Sequence, residues 1–411
     1  MAQVNTAFNY RARNAAGRIV KGKVDAPNYA SVVTRVRGMG LTPLSIDEVR
    51  SSGLNMELNI KGFEKSVKLK DIALMSRQLA TMIGAGVPLI RALNISLDQI
   101  ENDRLRRVMG EVRSDVETGS SLSDALARRP KDFPPLMINM VRAGETGGFL
   151  DESLESIATN YEKEVALRGK IKSAMTYPVV VLCISVVAVI AMLIFIVPVF
   201  ETMFADFGSE LPIPTQILVG LSRAMPFVLP VLVVGAVVFT IWWQGNKNND
   251  AVRNFVDPLK FRLPVFGPLL QKISIARFTR NFSTMMASGV PLMQTLAIVG
   301  ETSGNEVVQD AAAAVQDAVR QGRSLAGPMA AQSVFPPMVS QMVAVGEDSG
   351  SLESMLGKVA DFYDAEVEST TEQLTSLIEP LLIVFLGVVV GGMVISLYLP
   401  IFSLMDVVGA Q

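Results

Sequence analysis

Apolar positions along this chain follow three patterns. The first is continuous: Val179–Val197, Ala224–Trp243 and Leu381–Tyr398 carry no charged residue. Each run is near the ~20 residues a helix needs to cross the hydrocarbon core of a bilayer. Three such runs predict three transmembrane helices rather than buried helices of a soluble domain. The second pattern has helical spacing, as in Ile72–Ile83 and in the stripe Leu150, Leu154, Ile157, Tyr161, Val165. The third alternates: Phe8–Ala12 and Ile19–Val24, separated by the turn Asn14–Gly17, predict a β-hairpin. Tyr29, Val32, Val33 and Val36 then make one apolar helix face closed by Gly38 and Gly40, and Leu41–Ile46 is a candidate third strand.

The helical pattern is written twice. Phe133-Pro134-Pro135 and Gly144-Glu145-Thr146-Gly147-Gly148 recur as Phe335-Pro336-Pro337 and Gly346-Glu347-Asp348-Ser349-Gly350, each offset by 202 residues (335 against 133, 346 against 144). Gly86-Val87-Pro88-Leu89 recurs as Gly289-Val290-Pro291-Leu292, and breaks at Asn102 and Gly119 recur at Asn305 and Gly322. Glycine ends a helix and Val-Pro starts the next, so these breaks predict a bundle of about six antiparallel helices in each copy. The stripe Leu352, Leu356, Val359, Tyr363, Val367 again leads to an uncharged run, and the exits Val197-Pro198-Val199-Phe200 and Leu399-Pro400-Ile401-Phe402 match. The duplicated unit is bundle plus membrane helix.

Joined directly, two such units would leave their bundles on opposite sides of the membrane. The unpaired run Ala224–Trp243 carries the chain back. Phe200–Gln216 holds Glu201, Asp206 and Glu210 and no Lys or Arg, whereas Arg168, Lys170, Lys172, Lys247, Arg253, Lys260 and Arg262 flank the opposite ends. Positive residues stay inside, so both bundles are expected in the cytoplasm. The expected plan is an N-terminal α+β module (1–50), a linker (51–70), the first bundle (71–177), a transmembrane helix (178–198) and an external loop (199–223). A second transmembrane helix (224–243), a cytoplasmic connector (244–273), the second bundle (274–379), a third transmembrane helix (380–400) and an external tail (401–411) complete it. The expected fold class is a mainly α polytopic membrane protein with two repeated cytoplasmic antiparallel bundles, three transmembrane helices and a small α+β module. Met1–Arg50 has no signal-peptide core, so the N-terminus is expected to be cytoplasmic. Its eight lysines and arginines against three acids suit a solvated positive-inside surface, or docking to an acidic partner or anionic lipid.

Composition removes most chemistry. The 411 residues include no histidine, which excludes His-based triads, general bases and metal ligands. No phosphate-cradling GxxxxGK[ST] is present; before Gly357-Lys358, Leu352 stands where the first glycine belongs. Nucleotide hydrolysis would therefore belong to another protein. The single cysteine, Cys183, lies in the first apolar run, so no intramolecular disulfide forms. No catalytic, cofactor-binding or metal-ligating residue is assigned.

Four groups of residues remain as structural or partner-contact candidates. Gly144, Glu145, Thr146 and Gly147, with Gly346, Glu347 and Asp348, are read as turns in which glycine closes one helix while a Thr or Ser oxygen and the acid cap the next. Tyr177-Pro178 and Glu379-Pro380 are read as the entries to the first and third membrane helices. Gly387 and Gly391 form a GxxxG pattern suited to close helix packing, either within the chain or across a homo-oligomer. A channel or transporter is the competing reading, but such proteins place ionisable groups near the bilayer midplane, and the first and third runs have none.

Together these motifs, with the N-terminal Tyr10, Gly17, Gly22 and Ala26, resemble the F protein of type II secretion and the equivalent polytopic platform of type IV pilus assembly. The resemblance covers nearly the whole chain. It implies a non-enzymatic membrane platform without cofactor, on which a cytoplasmic hexameric ATPase works while pilin or pseudopilin subunits are lifted from the inner membrane. It also implies other membrane assembly proteins and membrane lipid as partners, no nucleic acid, and a homo-oligomer, with a dimer favoured. One departure is Asp348-Ser349 in the second copy where the first has Thr146-Gly147.

Overall fold

The computed structural model describes residues 6–13, 19–26, 29–48, 66–206, 212–246 and 249–408. The chain divides into two units, Met1–Lys65 and Ser66–Gln411. In the first, β1 (Thr6–Arg13), β2 (Ile19–Ala26), α1 (Tyr29–Gly38) and β3 (Thr42–Glu48) follow the alternating and helical patterns of the sequence. The sheet order is β2-β1-β3, all antiparallel, with Phe8 opposite Val24 and Tyr10 opposite Gly22. Val32 and Val36 of α1 are fully buried, as is Ala12 of β1. The expected turn Asn14–Gly17 and segment 51–65 of the expected linker lie outside the described residues.

The second unit holds both copies. The first is α2 (Leu69–Gly84), α3 (Leu89–Gln99), α4 (Asp103–Glu117), α5 (Leu122–Ala127), α6 (Pro135–Gly147) and α7 (Leu150–Ala191). After α7 come a π-helical turn (Met192–Ile196), α8 (Val197–Asp206), α9 (Ile213–Asn246) and α10 (Asp250–Arg262). The second copy is α11 (Phe266–Ala287), α12 (Leu292–Thr302), α13 (Glu306–Arg320), α14 (Ala326–Ala330), α15 (Pro337–Ser349) and α16 (Leu352–Val408). Six helices per copy arise from matched stop and start signals. Gly86 and Gly289 adopt left-handed φ of 79° and 68°, and Asn102 and Asn305 cap α4 and α13 by accepting from Leu105 N and Val307 N. Phe133 and Phe335 are buried, and each Pro135 or Pro337 opens its helix where no N–H is needed.

The stripes of α7 and α16 pack into one continuous apolar core that includes both bundles: Leu154, Ile157 and Tyr161 from the first copy, and Leu356, Val359 and Tyr363 from the second. The bundles therefore sit side by side at the same end of the long helices. Three helical stretches are long and apolar enough to cross a membrane: Leu150–Met203, Ile213–Asn246 and Leu352–Leu399.

The structure differs from the sequence plan at three places. Bundle and membrane helix are not separate elements, because α7 and α16 run unbroken through 177/178 and 379/380. The segment expected as a loop (199–223) is mostly helical, because α8 and the first turns of α9 pack on the ends of the long helices. There Val219 is buried with Leu193, Val197, Met393 and Leu397. The expected tail also continues α16 as far as Val408.

Candidate functional site: the joints between bundle and membrane helix

The Gly-Glu segment is not a turn at Gly144. Helix α6 continues to Gly147 and ends at Gly148, whose left-handed φ of 77° closes it; α15 ends the same way at Gly350, φ 67°. Gly144 instead sits inside α6 where the helix crosses the start of α7. A Cβ there would lie 2.5 Å from Ser153 Oγ and 3.1 Å from the Leu150 Cα. A Cβ on Gly346 would lie 2.9 Å from the Leu352 Cα. The glycine is required by close approach.

Glu145 reaches backward along the chain rather than forward. Its carboxylate accepts from Leu122 N at 2.5 Å and Ser123 N at 2.9 Å, the free amides that open α5. Glu347 does the same for Leu325 N (2.6 Å) and Ala326 N (2.9 Å) at α14. A carboxylate satisfying two orphan amides at the positive end of a helix contributes about 1–3 kcal/mol. Thr146 does not cap α7. With α6 extended past it, its hydroxyl lies in a helix interior and donates to the Arg142 carbonyl, as Ser349 donates to Val345. Asp348 is exposed, whereas Thr146 and Gly147 line a cleft against the Gly289-Val290-Pro291 turn of the second copy.

Tyr177 and Pro178, and Glu379 and Pro380, lie in mid-helix; Pro178 is buried while the other three are exposed. The prolines that change local structure are those at the exits. Pro198 has no N–H, and in the π register the Leu193 carbonyl should accept from residue 198. Ser222 of α9 donates to that carbonyl instead. Pro400 deprives the Ser396 carbonyl in the same way, and Thr215 of α9 donates to it. Thr215 and Ser222 are two turns apart on one face of α9, so the unpaired helix repairs the proline defect in both repeated helices. Backbone groups in lipid must be satisfied by protein. Thr215→Val combined with Ser222→Ala is expected to lower the thermal midpoint of the detergent-solubilised chain, at about 1–2 kcal/mol per lost bond. An unchanged midpoint would mean the carbonyls find other donors.

Gly387 and Gly391 face away from the rest of the chain: a Cβ on either meets no atom within 4 Å.

The two copies are joined along α7 and α16. Lys163 meets Asp361 at 2.9 Å and Lys170 meets Glu368 at 2.7 Å, so both helices advance by seven residues between contacts and run parallel. These exposed pairs are worth less than about 1 kcal/mol each and set register more than strength. Below them Asn160 of α7 donates to Asn281 Oδ1 (3.2 Å) and Thr284 Oγ1 (3.0 Å) of α11. Arg277 reaches Glu164 at 3.1 Å. Burial pulls the Arg277 guanidinium below its ordinary pKa, and the Glu164 carboxylate opposes that pull. A cleft of about 290 Å³ lies between the copies, lined by Thr159, Asn160 and Lys163 with Arg280, Thr284 and Asp361.

Within each bundle one arginine ties the first helix to the last. Arg77 of α2 binds Glu155, Thr159 and Glu162 of α7, and Arg280 of α11 binds Asp364 of α16. Sequence reasoning missed both arginines. The signal was available: Arg77 stands nine residues before Gly86, and Arg280 nine before Gly289. Among the described residues, no three His, Cys, Asp or Glu side chains gather as a metal site would require. The described residues form two cross-braced bundles, each fixed to the foot of a helix that runs unbroken into a stretch long and apolar enough to cross a membrane.

Comparison with known proteins agrees with this architecture. A family model described as type II secretion system (T2SS), protein F matches twice, at residues 75–198 and 278–400, and its N-terminal domain matches residues 1–47. The chain is 43% identical to the type IV pilus assembly protein PilC of Myxococcus xanthus, covering 97% of this chain and 94% of the relative. It is 42% identical to PilC of Thermus thermophilus (98% and 99% covered) and 34% identical to the type II secretion system protein F of Xanthomonas campestris pv. campestris (98% and 99% covered). The two family matches each take in one bundle with its long helix, the same unit the internal repeat defines, and the chain belongs to the type II secretion system protein F family.

Proposed function

We propose that this chain is the inner-membrane platform of a type IV pilus or type II secretion machine. Its bundles and N-terminus face the cytoplasm, where a hexameric assembly ATPase works against them. The long helices carry that motion to pilin or pseudopilin subunits in the membrane, beside other assembly proteins and lipid. The observation that carries this reading is the unbroken path from bundle to membrane in both copies, α7 and α16 running parallel from one shared core. A helix without a joint transmits a tilt or rotation of its foot along its length, about 1.5 Å per residue. The names of the relatives support the same role, and the higher identity to those named for pilus assembly favours filament assembly. The chain itself acts without catalysis, in keeping with the absence of histidine and of a phosphate-binding loop from its sequence.

The test is deletion, followed by complementation with the intact chain or with three glycines inserted after Lys172 of α7. Deletion should abolish surface filaments or protein secretion. The intact chain should restore them, and the glycine insertion should not, although the protein is present in the membrane. Normal filaments and secretion after deletion, with altered solute uptake, would replace the platform by a transporter. Full restoration by the interrupted helix would sink the mechanical coupling.

A further inference from the structure

Between the second apolar span and the second bundle lies α10, and its two faces differ. One is docked. Asp257 is 3% exposed, and its carboxylate accepts from Glu306 N, at the start of α13, at 3.1 Å. Arg253, one turn earlier, pairs with Glu306 at 3.0 Å. The opposite face is bare. Phe255 (75% exposed), Leu259 (52%) and Leu263 (44%) recur every four residues, and Val265 and Phe266 follow, both exposed. At 3.6 residues per turn, Phe255 and Leu259 fall on the side of α10 away from Asp257. Arg262 stands beside them, exposed and without an ion pair among the described residues.

Both ends of α10 are tied to the level at which the apolar spans begin. Its first end follows α9 at once: Asn249 N donates to the Asn246 carbonyl at 2.9 Å, just after the uncharged run ends at Trp243. Phe239, Trp242 and Trp243 group their rings there, as aromatic side chains do at a lipid–water boundary. Its other end leads into α11, which runs antiparallel to α16. Ser283 donates to the Glu353 carbonyl, Lys272 donates to Glu366 and Thr370, and Leu269 packs with Leu374. Phe266 therefore lies beside the last turns of α16 before the uncharged run that starts at Leu381. The bundle meets α10 at this end too. Helix α12 returns along α11, with Asn281 donating to Thr302 and Arg277 to the Ser303 carbonyl. The turn from α12 to α13, on which α10 docks, is thus at the span-facing end of the bundle.

We infer that α10 is an interfacial helix: Phe255, Leu259 and Leu263, with Val265 and Phe266, are buried in the lipid leaflet on the bundle side, and Arg262 meets lipid phosphate. A helix with one polar and one apolar face lies in the plane of the interface, its apolar side about 5–10 Å deep. An arginine within that face keeps its stem in the apolar layer and its guanidinium among the headgroups. The occupant is lipid because the bare face is continuous with the ends of the spans, and its free cation suits an anionic leaflet. Val265 fits the same occupant. It holds a left-handed φ of 74°, unfavourable for a β-branched residue, while half of its surface is uncovered. Burial of Val265 and Phe266 in lipid offsets that cost, whereas exposure to water does not. Among the described residues the first bundle has no counterpart of α10, so this anchor belongs to the second bundle. The lipid contact does not depend on what the machine assembles, and it is read without filaments or secretion.

The test uses the full chain carrying Cys183→Ser, in phosphatidylcholine vesicles that contain phosphatidylglycerol. A fluorophore on Leu259→Cys, opposite the docked face, should be quenched by acyl-brominated lipid about as strongly as one on Val234→Cys in α9. One on Ile90→Cys, exposed on α3, should respond only to iodide in the water. A Leu259 label quenched by iodide and not by brominated lipid overturns the inference. So does shielding from both quenchers, which marks a protein on this face. Brominated phosphatidylglycerol should also quench the Leu259 label more than the same fraction of brominated phosphatidylcholine. Arg262→Gln should reduce that preference, by up to about fivefold for one cation at an anionic surface. An unchanged preference overturns the role of Arg262.

Discussion

Gly346→Ala is expected to destabilise the solubilised chain by about 1–3 kcal/mol, and Gly144→Ala by a similar amount, read as a drop in the thermal midpoint. The reason is where α15 meets α16. The added methyl on Gly346 would stand 2.9 Å from the Leu352 Cα and 3.3 Å from Met355 Cβ. A Cα cannot rotate away as a side-chain tip can, so the helices themselves must part. Parting them opens the core around Leu356 and Val343, both fully buried. In the first copy the methyl would meet Ser153 Oγ at 2.5 Å and Cβ at 2.7 Å, with the Leu150 Cα behind them at 3.1 Å. The hydroxyl can swing aside but the two carbons cannot. Gly169→Ala is the control. A methyl on Gly169, in α7, would meet no atom within 4 Å, so the better helix former should stabilise by about 0.5–1 kcal/mol. The same substitution then has opposite signs at different helical glycines, which propensity alone cannot produce. Equal small effects at all three positions would remove close packing as the reason for the repeated glycine.

Periodicity and duplication made much of this architecture legible. Apolar runs mark the spans, the Gly-Val-Pro and Phe-Pro-Pro breaks divide each copy into six helices, and the stripe through Tyr161 or Tyr363 marks the buried face. The details of the joints were harder to read. In Gly144-Glu145-Thr146-Gly147-Gly148 three glycines each suit a helix end, and only the approach of α7 shows that the first is a contact and the last a cap. Glu145 looked forward to the next helix by sequence proximity, yet its carboxylate serves amides 22 and 23 residues earlier. Pro178 and Pro380 read as helix starts because proline usually is one, but both are accommodated inside longer helices. The seam between copies was invisible for a different reason. Lys163 pairs with Asp361 at a separation of 198, whereas the repeat is offset by 202, so no internal alignment brings the partners together.

Arg280→Met is expected to cost more than its counterpart Arg77→Met, about 2–4 kcal/mol against less than about 1 kcal/mol, and the difference separates the two bundles energetically. The two arginines occupy equivalent positions and bind equivalent acids, Asp364 and Glu162, but their surroundings differ. The Arg280 side chain keeps 7% of its surface exposed and Asp364 keeps 25%, whereas Arg77 and Glu162 keep 31% and 45%. Removing a buried partner leaves a carboxylate that is poorly solvated and uncompensated. Removing an exposed partner leaves one that water accepts. Arg280 also lines the cleft between the copies, together with Asn160 and Thr284, so its loss loosens the brace to α16 and the wall of that cleft together. Arg280→Met with Asp364→Leu should recover most of the lost stability, because methionine and leucine fill the space without charge. The measurement is the thermal midpoint of each variant in detergent, taken as a double-mutant cycle. If Arg280→Met and Arg77→Met fall by the same amount, burial of the second brace contributes nothing and the two bundles are equally tied to their helices. If the double variant is no better than Arg280→Met, the arginine acts through packing against α7 rather than through Asp364.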